Sequence, residues 1–211
     1  MDPKRLVARG YDRIAERYLE WVQNESSEAR ERYTQVLLEG LPAGARVLDL
    51  GCGAGLPTTR ALCERFRVVG VDLSARQVAL ARTNVPAAKF MQGDITRLGL
   101  RPKSVDGVCA FFSIIHVPRE ELPELLRDIA AWLRPGGLFV ATLGAHAHEA
   151  DYADDFLGAP MYWSSYDAAI NSRLVEEAGL RILTARQETV VEFGDPATFL
   201  WVVARQDASG S

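Results

Sequence analysis

The feature of this sequence that most constrains its fold is an alternation between short apolar runs and stretches with helical spacing. Five apolar runs predict strands at residues 46–50, 67–71, 88–91, 105–110 and 138–143. The stretches between them that predict helices are 56–65, 74–84 and 120–133. Apolar strands that alternate with helices are typical of a parallel sheet covered on both faces.

The two ends of the chain add different elements. Residues 3–40 predict two helices, because apolar and aromatic residues recur at spacings of three and four on either side of a break at 24–27. Residues 165–178 predict a helix that ends at Gly179, with Ser164 or Ser165 as its N-cap. Two strand-like runs, 180–191 and 197–205, follow without a helix between them, so we expect a hairpin whose last strand is antiparallel. Residues 207–211 predict a frayed tail.

Length, charge and cysteine content exclude several classes of protein. A chain of 211 residues predicts a single domain, and a net charge of −4 argues against a dedicated nucleic-acid binder. No apolar run approaches the roughly 18 residues that a membrane span needs, and the first residues lack a signal-peptide core. Cys52, Cys63 and Cys109 form no CxxC pair. We therefore expect a cytoplasmic protein with free thiols, no membrane partner and no nucleic-acid partner, and the oligomeric state stays open.

A glycine-rich loop follows the first predicted strand. The loop contains Gly51, Cys52, Gly53 and Gly55, at a G-x-G-x-G spacing that differs from the dinucleotide-binding fingerprint. Glycines at such a point let the backbone turn sharply and let a ligand approach main-chain N–H groups. The spacing alone is weak evidence for any particular ligand.

Two acidic residues end the next two strands. Asp72 lies 21 residues after Gly51, which suits a carboxylate that accepts both ribose hydroxyls of a nucleoside. Asp94, between Gly93 and Ile95, could accept from an adenine amino group while Ile95 covers the ring. The alternative is that both aspartates only cap the helices that follow them. Capping does not require this shared register, so the combined pattern favours a nucleoside site.

Together these segments resemble the class I S-adenosylmethionine-dependent methyltransferases. The matching segments are 47–55, 69–74, 93–95, 105–108 and 133–138. The resemblance implies an α/β, Rossmann-like, doubly wound seven-stranded sheet with helices on both faces and the last strand antiparallel. It also implies S-adenosyl-L-methionine as cofactor, with S-adenosyl-L-homocysteine as product.

The resemblance assigns expected roles to individual residues. Asp49 would pair with the cofactor's ammonium, and the loop N–H groups with its carboxylate. Tyr11 and Tyr18 lie seven residues apart on one helix face and would fold over the cofactor; the alternative is an ordinary amphipathic helix packed on the sheet. The full expected cofactor-binding set is Tyr11, Tyr18, Asp49, Gly51, Cys52, Gly53, Gly55, Asp72, Leu73, Gly93, Asp94, Ile95 and Phe111.

The acceptor site is predicted after the fourth and fifth strands. Phe112 and His116 follow the fourth strand, and His116 is either the base that removes the acceptor's proton or a structural residue. Residues 145–164 have no clear periodicity and would shape the acceptor pocket, where Tyr162 and Trp163 are either pocket walls or core anchors. The predicted parts of the single domain are a helical lid (1–40), a cofactor-binding core (41–144), an acceptor-pocket insertion (145–164) and a C-terminal helix with hairpin (165–206).

The reaction class follows partly from what the motifs lack. After the fourth strand, the sequence has neither the Asn/Asp-Pro-Pro-Tyr/Phe motif of nitrogen-methylating relatives nor an acid of the kind that holds magnesium in catechol-type enzymes. His146, His148 and Glu149 could suggest a metal site, but their spacing suits one only on a strand, and we expect no metal. The interpretation is methyl transfer to a small organic acceptor; the alternatives are an RNA or protein methyltransferase and a non-catalytic nucleoside-binding module.

Overall fold

The structure, a computed structural model, describes residues 2–24 and 28–207. Of the predicted break at 24–27, Asn24 is the last residue of α1 and residues 25–27 lie outside the described residues, as do residues 208–211 of the predicted tail. The helices are α1 (Pro3–Asn24), α2 (Glu28–Gly40), α3 (Thr58–Cys63), α4 (Ala75–Asn84), α5 (Leu122–Trp132) and α6 (Ala168–Glu177). No helix in this part of the chain combines the length and the apolar character needed to cross a membrane.

The main sheet has seven strands in the order β3-β2-β1-β4-β5-β9-β8. Their bounds are β1 (Arg46–Leu50), β2 (Arg67–Asp72), β3 (Lys89–Gln92), β4 (Val105–Ala110), β5 (Leu133–Gly144), β8 (Leu180–Glu192) and β9 (Asp195–Gln206). β9 is antiparallel to both of its neighbours, and the other pairs are parallel. The predicted fold, with six parallel strands and an antiparallel last strand, is confirmed.

Side chains alternate between the two faces of the sheet and build two separate cores. On one face, strand residues such as Leu48 and Val108 pack with α5 and α6. On the other, Val47 and Cys109 pack with α2 and α3. The central strands β1 and β4 are therefore largely apolar because both of their faces are buried.

The stretch 145–164, which we expected to be aperiodic, forms a second, two-stranded sheet. β6 (His148–Phe156) pairs with β7 (Ala159–Ser165), and the turn residues Leu157 and Gly158 both have positive φ, as a tight two-residue hairpin requires. α1 packs across β7. The hairpin and α1 together cover one end of the main sheet.

The helix expected from residue 120 begins at Leu122, after a 3₁₀ turn at Arg119–Glu121. Two further predicted helix starts are also wrong. The helix expected from residue 56 begins at Thr58, after Pro57. The helix expected from residue 165 begins at Ala168, and its N-cap is neither serine: Asp167 accepts a hydrogen bond from the Ile170 N–H at 2.8 Å. The reason for this last error is that β7 runs on to Ser165, whose hydroxyl donates to the Tyr166 carbonyl instead.

Candidate functional site

A central cavity lies between α1 and the carboxyl ends of β1, β2 and β4. Parallel strands end on the same side, so the glycine loop, Asp72 and Asp94 all face this cavity. The predicted site residues that line it are Tyr11, Tyr18, Gly51, Cys52, Gly53, Asp72, Leu73, Asp94, Ile95, Phe111, Phe112 and His116. The structure thus brings most of the predicted cofactor-binding set to one place.

The glycine loop has a shape that only glycine allows. Gly51 has φ +71°, and a Cβ at this position would lie 2.2 Å from the Cβ of Ser113. Gly53 has φ +52°, and its N–H donates to Asp72 Oδ2 at 2.8 Å. The loop therefore turns back toward the end of β2 and is tied to it by this hydrogen bond.

Asp72 does not cap α4. Its second oxygen accepts from the Ser74 N–H at 2.9 Å, and the cap is Ser74 itself, whose hydroxyl accepts from the Gln77 N–H at 3.1 Å. Burial raises the pKa of Asp72 to about 6, against the two backbone hydrogen bonds from Ser74 and Gly53, which lower it. The carboxylate is held in place with lone pairs left over for a ligand.

Asp94 does cap the turn that follows it, as the alternative interpretation held, and it also binds Lys4, which the sequence did not reveal. It accepts from the Thr96 N–H at 2.9 Å, which caps a single turn of 3₁₀ helix, and from the Lys4 ammonium at 2.8 Å. Lys4 also donates to Glu121 at 2.5 Å. Burial disfavours the charged form of Lys4, but these two carboxylates outweigh it and raise its pKa. The start of α1 is thus bound through Lys4 to Asp94, the residue expected to bind adenine.

Asp49 lies beneath the loop rather than in the cavity. It is 3% exposed, does not line the cavity, and accepts from the Thr59 hydroxyl at 2.5 Å. Burial raises its pKa, against the hydrogen bond from Thr59. Gly55 and Gly93 do not line the cavity either. The role of Asp49 as partner of an ammonium group stays a prediction.

Gln77, by contrast, lines the cavity and was not predicted. It is 1% exposed, and neither its amide nitrogen nor its amide oxygen has a hydrogen-bond partner among the described residues. A buried amide without partners costs free energy unless a ligand or water satisfies it. Its position three residues after Ser74, in the first turn of α4, is the only sequence signal that could have found it.

Tyr11, His116 and Tyr162 form a hydrogen-bonded chain. His116 Nδ1 lies 2.7 Å from the Tyr162 carbonyl oxygen, which can only accept, so Nδ1 carries the proton. Burial lowers the pKa of His116 to about 4, against that backbone hydrogen bond, so the ring is neutral. Nε2 then accepts from the Tyr11 hydroxyl at 2.9 Å. Both ring nitrogens are occupied, which favours a positioning role over a base role.

A second cavity adjoins the first, and we call it the aromatic cavity. It has a volume of about 360 Å³ and shares Tyr11, Tyr18, Phe112 and His116 with the central cavity. Its other aromatic walls are Phe156, Trp163, Phe193 and Phe199. The two cavities therefore meet at these four shared residues, which we call the junction.

The two aromatic residues predicted for the acceptor pocket point in opposite directions. Trp163 lines the aromatic cavity, whereas Tyr162 is 2% exposed and packs in a cluster with Ile14 and Met161. Successive residues of a strand face opposite sides, so only one of this pair could reach the cavity. Tyr162 contributes its backbone carbonyl instead.

Four further residues at the two cavities were missed by sequence reasoning. Besides Lys4 and Gln77, they are Arg30 and Glu192. The Arg30 guanidinium lies 4.7 Å from the centroid of the Phe112 ring, over its face. A charged residue on an amphipathic helix or at a strand end is ordinary in sequence, so only the fold reveals these positions. Within the described ranges, no cluster of three or more His, Cys, Asp or Glu side chains has the arrangement of a metal site.

Comparisons with known proteins agree with this geometry. Residues 47–137 match a family model described as a methyltransferase domain. A malonyl-[acyl-carrier protein] O-methyltransferase of Enterobacter lignolyticus is 30% identical over 202 residues, which cover 91% of this chain and 75% of that protein. The chain belongs to the class I S-adenosylmethionine-dependent methyltransferases.

Other methyltransferases match over shorter lengths or in fold alone. A trans-aconitate 2-methyltransferase of Variovorax paradoxus is 35% identical over 58% of this chain and 48% of its own length. The chain spans about half the length, or less, of this and other curated relatives. A solved methyltransferase from Methanosarcina mazei has a TM-score of 0.73 at 16% identity, covering 82% of this chain and 98% of that one, which supports the methyltransferase fold.

Proposed function

We propose that this methyltransferase transfers a methyl group from S-adenosylmethionine to a small organic acceptor. The observation that carries the proposal is the junction of two cavities, one lined by the nucleoside-binding motifs and the other by aromatic side chains. A cofactor in the first cavity would present its methyl group toward the second. The rest of the proposal follows from which side chains surround each cavity.

The residues of the central cavity fit S-adenosylmethionine. The Gly51 turn leaves no room for a side chain, and the buried Gln77 amide lacks partners that a ligand can supply. Asp72 would accept from the ribose hydroxyls, and Ile95 would cover the adenine. Asp94 would accept from the adenine amino group in addition to Lys4, since a carboxylate has about four lone-pair sites.

When bound, the cofactor supplies an electrophilic methyl group on a positive sulfur. The chain's own contribution is to position the acceptor and to exclude water from the junction. Tyr11 and Tyr18 cover the junction from α1, and their rings meet edge to face at 5.2 Å. Aromatic faces there would favour the bound cation, which aids binding more than rate because the charge is lost toward the transition state.

We also propose that residues 1–40 act as a lid on the core at 41–144, and that 145–164 complete the acceptor pocket. Asp12 accepts from the Ser74 hydroxyl at 2.6 Å, and Lys4 reaches Asp94, so α1 is attached at both sides of the cavity. A ligand under α1 therefore requires these contacts to open and close. The free cysteines and the acidic net charge support a cytoplasmic protein without a nucleic-acid partner.

The acceptors of two relatives suggest carboxylates as a second class of acceptor. By their names, one relative methylates trans-aconitate and another a malonyl group, and both acceptors carry carboxylates. Arg30, which lines the central cavity near the junction, is a cation that could attract such a group. The experiment that tests the proposal therefore also looks for methylation of carboxylates.

The test supplies methyl-labelled S-adenosylmethionine together with separated pools of small metabolites, RNA and protein, and follows the label by mass spectrometry. We expect label in a small molecule, unaffected by chelator, and none with Asp72→Ala. Labelling of RNA or protein alone would contradict the acceptor class. Tight cofactor binding with no labelled product would indicate a non-catalytic module.

A further inference from the structure

Glu192 lies at the end of β8, where the C-terminal hairpin reaches the aromatic cavity. Its side chain lines this cavity and also the neighbouring groove beside α2. The next residue, Phe193, stacks on Trp21 of α1 at 3.9 Å between ring centroids and meets Phe156 edge to face at 5.0 Å. These contacts attach the hairpin to the lid and hold Glu192 among aromatic rings.

The Glu192 carboxylate is close to the junction of the two cavities. Its negative charge contributes to raising the pKa of both Tyr11 and Tyr18, in each case after the larger effect of burial. Arg30 is the charge that acts on it, and a carboxylate has about four lone-pair sites, so acceptor capacity remains for a ligand. A partly buried carboxylate beside a cavity, with unused acceptor capacity, is a chemically competent group that the proposed function has not yet used.

The charges that face Glu192 come from three sides. Arg30 of α2 lowers its pKa, burial raises it more strongly, and the net effect is a pKa of about 7. Tyr11 and Tyr18 face it from α1, and His146, His148 and Asp151 line the same cavity. A carboxylate with this pKa can take up a proton near neutral pH.

His116 is less suited to that task, although it shares the junction. Its Nδ1 proton is donated to a backbone carbonyl and its Nε2 lone pair is taken by the Tyr11 hydroxyl. Removing a proton from an acceptor would require it to give up the Tyr11 bond and to hold a positive charge in a buried position. Glu192 would become neutral on taking up a proton, so burial assists it.

Resting on the proposed function, we propose that Glu192 is the acceptor-facing catalytic residue, which binds the hydroxyl or amino proton of a flat, uncharged acceptor and removes it during methyl transfer. The acceptor's oxygen or nitrogen forms the bond to the methyl carbon with its lone pair. The carbon–sulfur bond breaks, and its electron pair stays on sulfur, which becomes a neutral thioether. The acceptor's proton passes to the Glu192 carboxylate and later to solvent, so charge and atoms balance.

The charge of the aromatic cavity selects against carboxylate acceptors. Among the described residues that line it, there are two carboxylates, Asp151 and Glu192, and no lysine or arginine. A carboxylate ligand in this cavity would be repelled by both of them, and Arg30, the cation at the junction, already faces the Glu192 carboxylate. Rings from Tyr18, Phe156 and Trp163 instead suit a planar apolar body.

Three probes that share one ring system test this selection. 2-Naphthol, 2-aminonaphthalene and 2-naphthoate are titrated by calorimetry at pH 8 into protein saturated with S-adenosylhomocysteine, where Glu192 is ionised. We expect one of the proton-bearing probes, or both, to bind at least tenfold tighter than naphthoate. In Glu192→Gln, which keeps the shape and removes the charge, we expect this preference to fall below threefold.

The matched control is Asp195→Asn, which removes one carboxylate from the exposed side of the same hairpin turn and should leave the preference intact. In the wild type, the rate of methyl transfer to the tighter proton-bearing probe should rise with pH through an apparent pKa near 7. In Glu192→Gln, we expect kcat to be at least a hundredfold lower and this pH dependence to be absent.

The failures of the two proposals are distinguishable. Absence of S-adenosylhomocysteine binding to the wild-type protein would overturn the proposed function itself. If the product analogue binds but naphthoate binds as well as the other probes, or no probe binds, the acceptor class is wrong. Lack of methyl transfer to both proton-bearing probes, or an unchanged kcat in Glu192→Gln, would overturn the proton-accepting role.

Discussion

Asp72 connects the scaffold of the site to its expected ligand. Its two oxygens already hold the Gly53 and Ser74 amides, so the carboxylate cannot rotate away from the cavity. Burial raises its pKa to about 6, which means that the ligand-free protein holds it partly protonated in weak acid. A ribose hydroxyl donates a full-strength hydrogen bond only to the charged carboxylate. Ligand binding is therefore coupled to the deprotonation of Asp72.

We therefore predict that the affinity for S-adenosylhomocysteine falls as pH is lowered from 7 to 5, because Asp72 must lose its proton to accept both ribose hydroxyls. Calorimetry at pH 5, 6 and 7 measures this. Asp72→Asn should cost about 2 kcal/mol at pH 7, the order of a charge-assisted hydrogen bond, and should flatten the pH dependence. An affinity in Asp72→Asn equal to that of the wild type would show that the ribose is held elsewhere.

The Tyr11–His116 hydrogen bond supports a prediction about stability. Burial lowers the pKa of His116 to about 4, whereas in the unfolded chain it is about 6.5. Between these two pH values the unfolded chain takes up the proton more readily, so the folded state loses stability as pH falls from about 6.5 toward 4. His116→Asn keeps a donor for the Tyr162 carbonyl but leaves the Tyr11 hydroxyl without its acceptor. We expect a loss of about 1–3 kcal/mol at pH 7 and a weaker acid dependence in chemical denaturation.

The control for this prediction is Tyr11→Phe, alone and combined with His116→Asn. If the two residues stabilise the fold through one hydrogen bond, the double variant loses less stability than the sum of the single variants. Additive losses would contradict the hydrogen-bonded chain. A hundredfold loss of turnover at unchanged stability in His116→Asn would instead restore the base role.

At the residue scale, the sequence predicted functional groups that lie in strand-end motifs and missed those that depend on packing. Asp72 and Asp94 were identifiable because their spacing from the glycine loop is constrained by the strand–helix repeat. Lys4 and Glu192 were not, since each reaches the site from an element whose docking is set by distant contacts. Phe112, at φ +56°, has a strained backbone that no local pattern indicates.

At the element scale, α1 is the part of the site whose attachment is most specific. The partly buried ammonium of Lys4 donates to Asp94, Thr96 and Glu121. Farther along the helix, Asp12 accepts from the Ser74 hydroxyl and the Arg76 N–H. The same helix contributes Tyr11 and Tyr18 to both cavities. A helix fixed by polar contacts at its two edges, over a cavity, can open without unfolding the core.

We predict that Lys4→Met weakens this attachment, since the apolar side chain leaves two carboxylates without their shared cation. Backbone hydrogen exchange of α1 should accelerate about tenfold, the equivalent of 1.4 kcal/mol. The control is Arg5→Met on the same helix, because Arg5 is 80% exposed and pairs only loosely with Asp2 at 3.6 Å. Equal protection of α1 in the wild type and Lys4→Met would show that apolar contacts alone hold the lid.

The hairpin β6–β7 shows why one element escaped prediction. β6 is rich in Asp and Ala and almost wholly exposed, so it has neither the β-branched residues nor the alternation that indicate a strand. Its structure depends on β7, whose buried residues pack under α1. Tertiary contacts therefore create this strand, whereas each parallel strand of the main sheet was visible from its own apolar run.

At the scale of the whole molecule, the strand order determines where the site can be. β1 lies between β2 and β4, so the glycine loop, the Asp72 end of β2 and the Phe111–Phe112 end of β4 converge at one edge. The chain's crossover at β1 leaves a crevice there, as in other open parallel sheets. The site could be predicted from the sequence because its position follows from the topology, while the aromatic cavity depends on the hairpin, α1 and β8 meeting correctly.

Binding at this convergence should stabilise the entire fold. A ligand that binds only the native state at one hundred times its dissociation constant adds about 2.7 kcal/mol to the free energy of unfolding. For a domain of this size, that corresponds to a rise in Tm of about 5–11 °C. We therefore expect such a rise with S-adenosylhomocysteine in thermal unfolding, and a markedly smaller one in Asp72→Ala at the same ligand concentration. Adenosine, which retains the ribose and adenine contacts but lacks the amino-acid moiety, should give an intermediate rise at equal concentration. Equal shifts for both ligands would place all of the binding free energy at Asp72, Asp94 and Ile95, and would leave the glycine loop and Gln77 without a role.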